Sequence, residues 1–198
     1  CRKVLRQVVG RTYNHVSVDG DTSVCDKVLL LASGDSGAPV LDEHSPELPL
    51  LEQALEDVAT EIARMLAADG EGATKLLTIL VKGAPTQADA TAIAQAIAKS
   101  PLCKTAAYGR DANWGRPMTA AGYSGAQFDP ELADFYIGDL QVCKAGGALA
   151  FDEARAVEIL SQSEVVYTLD LHQGEGQDFM WTCDLTHEYV TINGSYRS

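Results

Sequence analysis

The residues best placed to do chemistry lie in the stretch Asp69-Gly70-Glu71-Gly72-Ala73-Thr74-Lys75. Two glycines bracket Glu71, and glycine accepts positive-φ backbone that other residues resist. The apolar pattern before this stretch is helical and the pattern after it is strand-like. The carboxylate therefore sits at a helix-to-strand corner, where ligands often bind in α/β folds. A glutamate held there can pair a cation. Read alone, the stretch also fits the simpler description of a helix C-cap glycine beside a solvated acid.

Other motifs compete for attention. Gly34-Asp35-Ser36-Gly37-Ala38-Pro39 nearly spells a serine-protease nucleophile loop, yet only His15 lies upstream as a base and too little chain precedes Ser36 for the matching β-barrel. Asp19-Gly20-Asp21 lacks the glutamate a calcium loop needs at its twelfth position, so it reads as a turn. Gly174-x-Gly176 opens no helix and is a turn rather than a phosphate cradle. Asn113-Trp114-Gly115-Arg116 either anchors a loop or reaches a site directly. The five cysteines and four histidines show no metal-ligand spacing, so no metal and no cofactor is expected. Reduced thiols in a cytoplasmic protein are the default reading.

A net charge of −13 without a basic cluster excludes a nucleic-acid partner. No apolar run reaches membrane-spanning length. The elements that must position Glu71 follow from periodicity. Val4, Leu5, Val8 and Val9 mark a helix within residues 1–13, beginning as if in mid-helix at Cys1. Val16-Ser17-Val18 is strand-like, and 27–32 (Lys-Val-Leu-Leu-Leu-Ala) reads as a buried strand before a loop over 34–49. Leu51, Ala54, Leu55, Val58, Ile62, Met65 and Leu66 form one stripe of a helix over 50–68. A strand over 76–81 ends at Gly83-Ala84-Pro85. Thr86-x-x-Asp89 caps a helix that Ser100-Pro101 stops, and 102–108 reads as extended. Short strands at 135–138 and 140–144 precede a helix capped by Asp152, and 164–171 with 178–183 reads as a hairpin. The tail from Asp184 carries no clear period. These elements predict a mixed α/β chain in two lobes, 1–84 and 85–198.

Taken in order, these segments resemble one family. They are Val18-Asp19-Gly20-Asp21-Thr22-Ser23 with Asp26, the stretch 69–75, Lys104-Thr105-Ala106 with Asn113-Trp114-Gly115-Arg116, Cys183-Asp184-Leu185-Thr186, and Tyr189-Val190-x-Ile192-Asn193 with Tyr196-Arg197-Ser198. Together they are similar to the β chain of ornithine acetyltransferase, the ArgJ family, from Arg11 to Ser198. The resemblance implies layered sheets and helices, with residues 1–84 forming part of a catalytic domain shared with an α chain. It implies an enzyme that cleaves itself, exposes a threonine, and moves acetyl from N-acetylornithine to glutamate for arginine synthesis; bifunctional members also accept acetyl-CoA. It implies an α2β2 assembly. The family's β-chain substrate contacts fall on Glu71, Asn193 and Ser198, and its threonine falls upstream of Cys1, so no catalytic residue is expected within the chain and the chain alone is expected to be inactive. Val24-Cys25 and the terminal Ser198 depart from the family's Thr-Asn and threonine. A related autoprocessing aminopeptidase, which releases acyl groups to water, and an inactive amino-acid-binding fragment are the alternatives.

Overall fold

The computed structural model describes residues 1–195. Helices α1 (Arg2–Arg11) and α2 (Leu48–Ala68) precede strand β1 (Leu76–Ala84), then come α3 (Gln87–Lys99), α4 (Pro101–Gly109) and α5 (Gly115–Gly122). Strands β2 (Asp134–Ile137), β3 (Leu140–Lys144) and β4 (Gly147–Ala148) lead to α6 (Glu153–Leu160). Strands β5 (Glu164–Asp170) and β6 (Gly176–Cys183) and helix α7 (His187–Ser195) follow. One six-stranded sheet, ordered β4-β3-β2-β5-β1-β6, joins all the strands.

The mixed α/β class expected from the sequence is the class observed. The hairpin is not. Strand β1 lies between β5 and β6, parallel to the first (Leu76 opposite Glu164) and antiparallel to the second (Leu76 opposite Cys183). A run as apolar as 76–81 gains most by burial on both edges, and it displaces the sequence-neighbour pairing. Residue 84, where the two expected lobes divide, is the last residue of this strand, and both of its sheet neighbours follow it in the chain.

Alternation sets the layers. Leu77, Ile79 and Val81 of β1, with Phe135, Val165, Leu169 and Met180, face one core shared with Ile93 and Ile97 of α3 and Leu160 of α6. The opposite face divides: Leu76 of β1 and Trp181 of β6 pack under α2, and the far end of β1, with its neighbours on β5 and β2, is polar. There Lys82, Asp170 and Asp134 stand in cross-strand register, with Lys82 Nζ 3.0 Å from Asp170 and His172 Nε2 3.1 Å from Asp134. Thr86 caps α3 by accepting the Asp89 amide at 3.1 Å, as its motif indicates. Residues 102–108, expected to be extended, are helical instead. Pro101 ends α3 and also occupies the first turn of α4, with Ser100 capping it at the Cys103 amide.

Two other expectations are overturned. Helix α2 forms where its period places it, but the buried residues are Ala59, Ala63 and Ala67. Its large stripe is exposed, with Val58 at 60% and Met65 at 66%. The alanine face lets the helix approach Leu76 and Trp181 closely. Residues 27–32 form no strand, and Leu29 and Leu31 are 74% and 87% exposed. Among the described residues no strand pairs with this segment, so its apolar pattern finds nothing to bury against. Val16 does make a bridge, lying beside Trp181 with the Ser17 amide 3.0 Å from the Trp181 carbonyl.

Candidate functional site

The corner between α2 and β1 is built on close approach. A Cβ on Gly70 would stand 2.7 Å from Cys183 Sγ and 2.9 Å from Val18 Cγ1. Gly72 has φ of +67°, and a Cβ there would meet the Tyr189 amide nitrogen at 2.6 Å. Of the two glycines bracketing Glu71, one is required by space and the other by space and backbone together. Segments 16–18, 183 and 188–189 are thus pressed against the residues on either side of Glu71.

Buried polar groups hold those segments. Asp184 accepts the Thr74 amide at 2.8 Å, the Lys75 amide at 3.2 Å and the Thr74 hydroxyl. Thr186 donates to the Gly72 carbonyl at 2.7 Å and accepts the amides of Glu188 and Tyr189, which caps α7. The Tyr189 hydroxyl donates to Asp19 at 3.0 Å. That bond, then burial and the charges of Asp19, Glu71 and Asp21, hold the phenol above its ordinary pKa. Buried Lys75 donates to the carbonyls of Ala107 and Leu160 at 3.1 and 2.7 Å. Burial pulls its pKa down, and Asp184 opposes the shift.

These contacts border a cavity of about 930 Å³ whose lining includes Val18, Asp19, Asp21, Asp26 and Glu71, together with Ile62 and Leu66 from the exposed stripe of α2. Its charged residues are acidic apart from Lys27, so it suits a ligand carrying positive charge. Glu71, expected at a pocket, lines this one. Asn193 lies on α7, exposed, with its amide donating to the Tyr189 carbonyl at 3.1 Å. Ser198 lies outside the described residues. Among the described residues no cluster of His, Cys, Asp and Glu has the geometry of a metal site. No described helix is long and apolar enough to cross a membrane.

The remaining motifs resolve structurally. Ser36 accepts the Ala38 amide within its own exposed turn. His15 pairs with Asp178 at 2.9 Å and stacks on Phe179. Arg116 donates to the Leu102 carbonyl at 2.9 Å and to Thr105, tying α5 to α4, so the loop around Trp114 is an anchor. Periodicity gave no role to Asp184, Lys104 or the acids Asp21 and Asp26. Thr186-x-Glu188 ahead of a helix carried a capping signal that the weak period of the tail obscured.

The comparisons with known proteins agree with one another. The ArgJ family model matches residues 1–198. The chain is 50% identical over 197 residues to the arginine biosynthesis bifunctional protein ArgJ of Symbiobacterium thermophilum, covering 100% of this chain and 49% of that protein. It is 43% identical over 203 residues to the mitochondrial protein of the same name from Schizosaccharomyces japonicus, covering 100% of this chain and 47% of that one. The chain thus spans about half the length of the curated relatives it matches. The crystal structure of ArgJ from Bacillus halodurans superimposes with a TM-score of 0.93 at 39% identity, covering 98% of this chain and 92% of that one. A family match over every residue, relatives at this identity along the whole of this chain and the same fold lead to one conclusion: the chain belongs to the ArgJ family.

Proposed function

We propose that this chain is one half of an ornithine acetyltransferase, which moves the acetyl group of N-acetylornithine to glutamate through an acetyl-enzyme. The observation that carries the reading is Glu71, held between two close-fitting glycines on the wall of an acidic cavity, in a chain of this family. N-acetylornithine keeps a free side-chain ammonium, and a fixed carboxylate is its complement. A covalent intermediate divides one difficult transfer into two easier ones. The relatives' names, with their word bifunctional and their pathway, support arginine biosynthesis, and acetyl-CoA is proposed as a further acyl donor.

The nucleophile is proposed to be a threonine outside residues 1–198, with Asn193 and Ser198 joining Glu71 in substrate contact. A companion α chain in an α2β2 assembly is the proposed partner. The exposed stripe of α2 and the exposed Val24, Leu29 and Leu31 support an apolar partner surface on the segment before β1. This is consistent with residues 1–84 sharing a catalytic domain. The free cysteines fit a reducing, cytoplasmic setting.

The test is an assay of the complete two-chain protein with N-acetylornithine, with and without glutamate. Acetyl transfer that depends on glutamate is expected. Hydrolysis alone would favour an aminopeptidase-like enzyme, and binding without turnover an amino-acid-binding module. Glu71→Gln should raise KM for N-acetylornithine roughly ten- to a hundredfold, since a lost charged hydrogen bond costs about 1.5–3 kcal/mol.

A further inference from the structure

Lys104 of α4 is 2% exposed, yet its ammonium is fully engaged. It donates to the Val18 carbonyl at 2.6 Å, to the Cys183 carbonyl at 2.5 Å and to the Thr182 hydroxyl at 3.0 Å. Three donors on one tetrahedral nitrogen meet three oxygens from two segments far apart in sequence. The Thr182 hydroxyl itself donates to the Ala98 carbonyl at 3.2 Å, so the arrangement is saturated. Burial alone pulls the pKa of this lysine down; Cys183, Asp184 and Asp19 work against it.

Val18 and Cys183 are also the two residues into which Gly70 is fitted. Their carbonyls are bound by Lys104 while their side chains press on Gly70, the residue before Glu71. Asp19, which follows Val18, is tied to Tyr189, whose amide faces Gly72 on the other side of Glu71. The residues flanking Glu71 thus rest on Lys104 through Val18 and Cys183 on one side and through Asp19 and Tyr189 on the other.

We infer that Lys104 is a positioning residue for Glu71: its ammonium fixes Val18 and Cys183 against Gly70 and thereby sets where the Glu71 carboxylate stands in the cavity. Lys104 touches no ligand in this role. A buried lysine is costly, and an apolar residue of similar length would fill the same space. What only the ammonium supplies is a common point for a loop and a strand end, as a site built from separate segments requires. The inference rests on the reading of Glu71 as the partner of the substrate cation, and it extends that reading to a residue which meets no substrate.

The experiment is a double-mutant cycle in the complete two-chain enzyme, with KM for N-acetylornithine, kcat and thermal stability measured for each variant. Lys104→Met should raise KM about tenfold while kcat changes far less, the mark of lost ground-state binding. Combined with Glu71→Gln it should raise KM no further than Glu71→Gln alone, because a carboxylate already removed cannot be misplaced. Gly70→Ala pushes on Val18 and Cys183 with Lys104 intact, and should show the same KM rise and the same lack of additivity. It decides the matter if Lys104→Met fails to assemble. Effects that multiply with Glu71→Gln, or a KM left at the wild-type value, overturn the positioning role. A Glu71→Gln variant with unchanged KM overturns instead the reading of Glu71, and the inference with it.

Discussion

Asp184 binds a single residue with both of its carboxylate oxygens: one accepts the Thr74 amide at 2.8 Å, the other the Thr74 hydroxyl. The first also takes the Lys75 amide, so three donors at the start of β1 depend on one buried acid. Asp184→Ala removes the buried partner of all three, two of which belong to the solvent-exposed Thr74. The expected loss is about 1.5–3 kcal/mol, the range for hydrogen bonds to a charged group, read from the midpoint of urea unfolding. An unchanged midpoint would mean that water replaces the carboxylate without cost.

The glycines around Glu71 should be intolerant of a single methyl group. Gly72→Ala places Cβ against the Tyr189 amide on backbone of positive φ, and Gly70→Ala places it against Cys183 and Val18. Each should cost about 1–3 kcal/mol, as overpacking a filled space does. Gly109, at the end of α4 with nothing within 4 Å of its would-be Cβ, supplies the contrast. Gly109→Ala should stabilise by up to about 1 kcal/mol through helix propensity. Thermal melts of the three variants side by side test the ordering.

Helix α2 should respond to mutation in the reverse of its hydrophobic pattern. Ala63, 0% exposed against the sheet, should lose about 1–3 kcal/mol as Ala63→Leu. Met65→Glu on the exposed stripe should change the stability of the chain by less than about 0.5 kcal/mol. If the stripe meets a companion chain, the same Met65→Glu substitution should abolish co-purification of the two. Strong destabilisation of the chain itself by Met65→Glu would show that the stripe is already buried.

Acid sensitivity has one identifiable source on the polar face of the sheet. Burial pushes the Asp134 carboxyl up, but the Ala145 amide, His172 and Tyr136 together bring it below its ordinary 3.8. A carboxylate lowered in the fold contributes stability above its unfolded value and loses it as pH falls through the folded value. The advantage of wild type over Asp134→Asn in melting temperature should therefore be constant at neutral pH and shrink below pH 3.8. A gap that stayed constant down to strongly acid pH would rule out this linkage.

The sequence was most informative where local chemistry decides the outcome. The caps at Thr86 and Asp152, the period of α2 and the apolar run of β1 each identified an element, because a helix start or a buried strand is announced within a few residues. The orientation of α2 was not legible. Periodicity finds the widest apolar stripe and assigns it to the core, whereas Trp181 selected the face small enough to approach. Strand order was equally hidden, since nothing local to 164–183 tells of a third strand inserted from residue 76. At the candidate site the glycines around Glu71 stood out, and the lysine and aspartate that hold their neighbours did not. A buried ion reads in sequence like any surface charge until its partners are known.

Strand β1 has a consequence for how the chain is made. Its two edges belong to β5 and β6, so Leu76 waits for Glu164 on one side and Cys183 on the other. Loops of that length are slow to close, and the contacts that reward closure exist only after β5 and β6 have left the ribosome. Until then the run Leu76 to Val81 is an apolar segment with both hydrogen-bonding edges bare, the form of chain that self-associates most readily. Premature truncation anywhere before β6 would leave that segment without its antiparallel neighbour, and such products should be found in aggregates or held by chaperones.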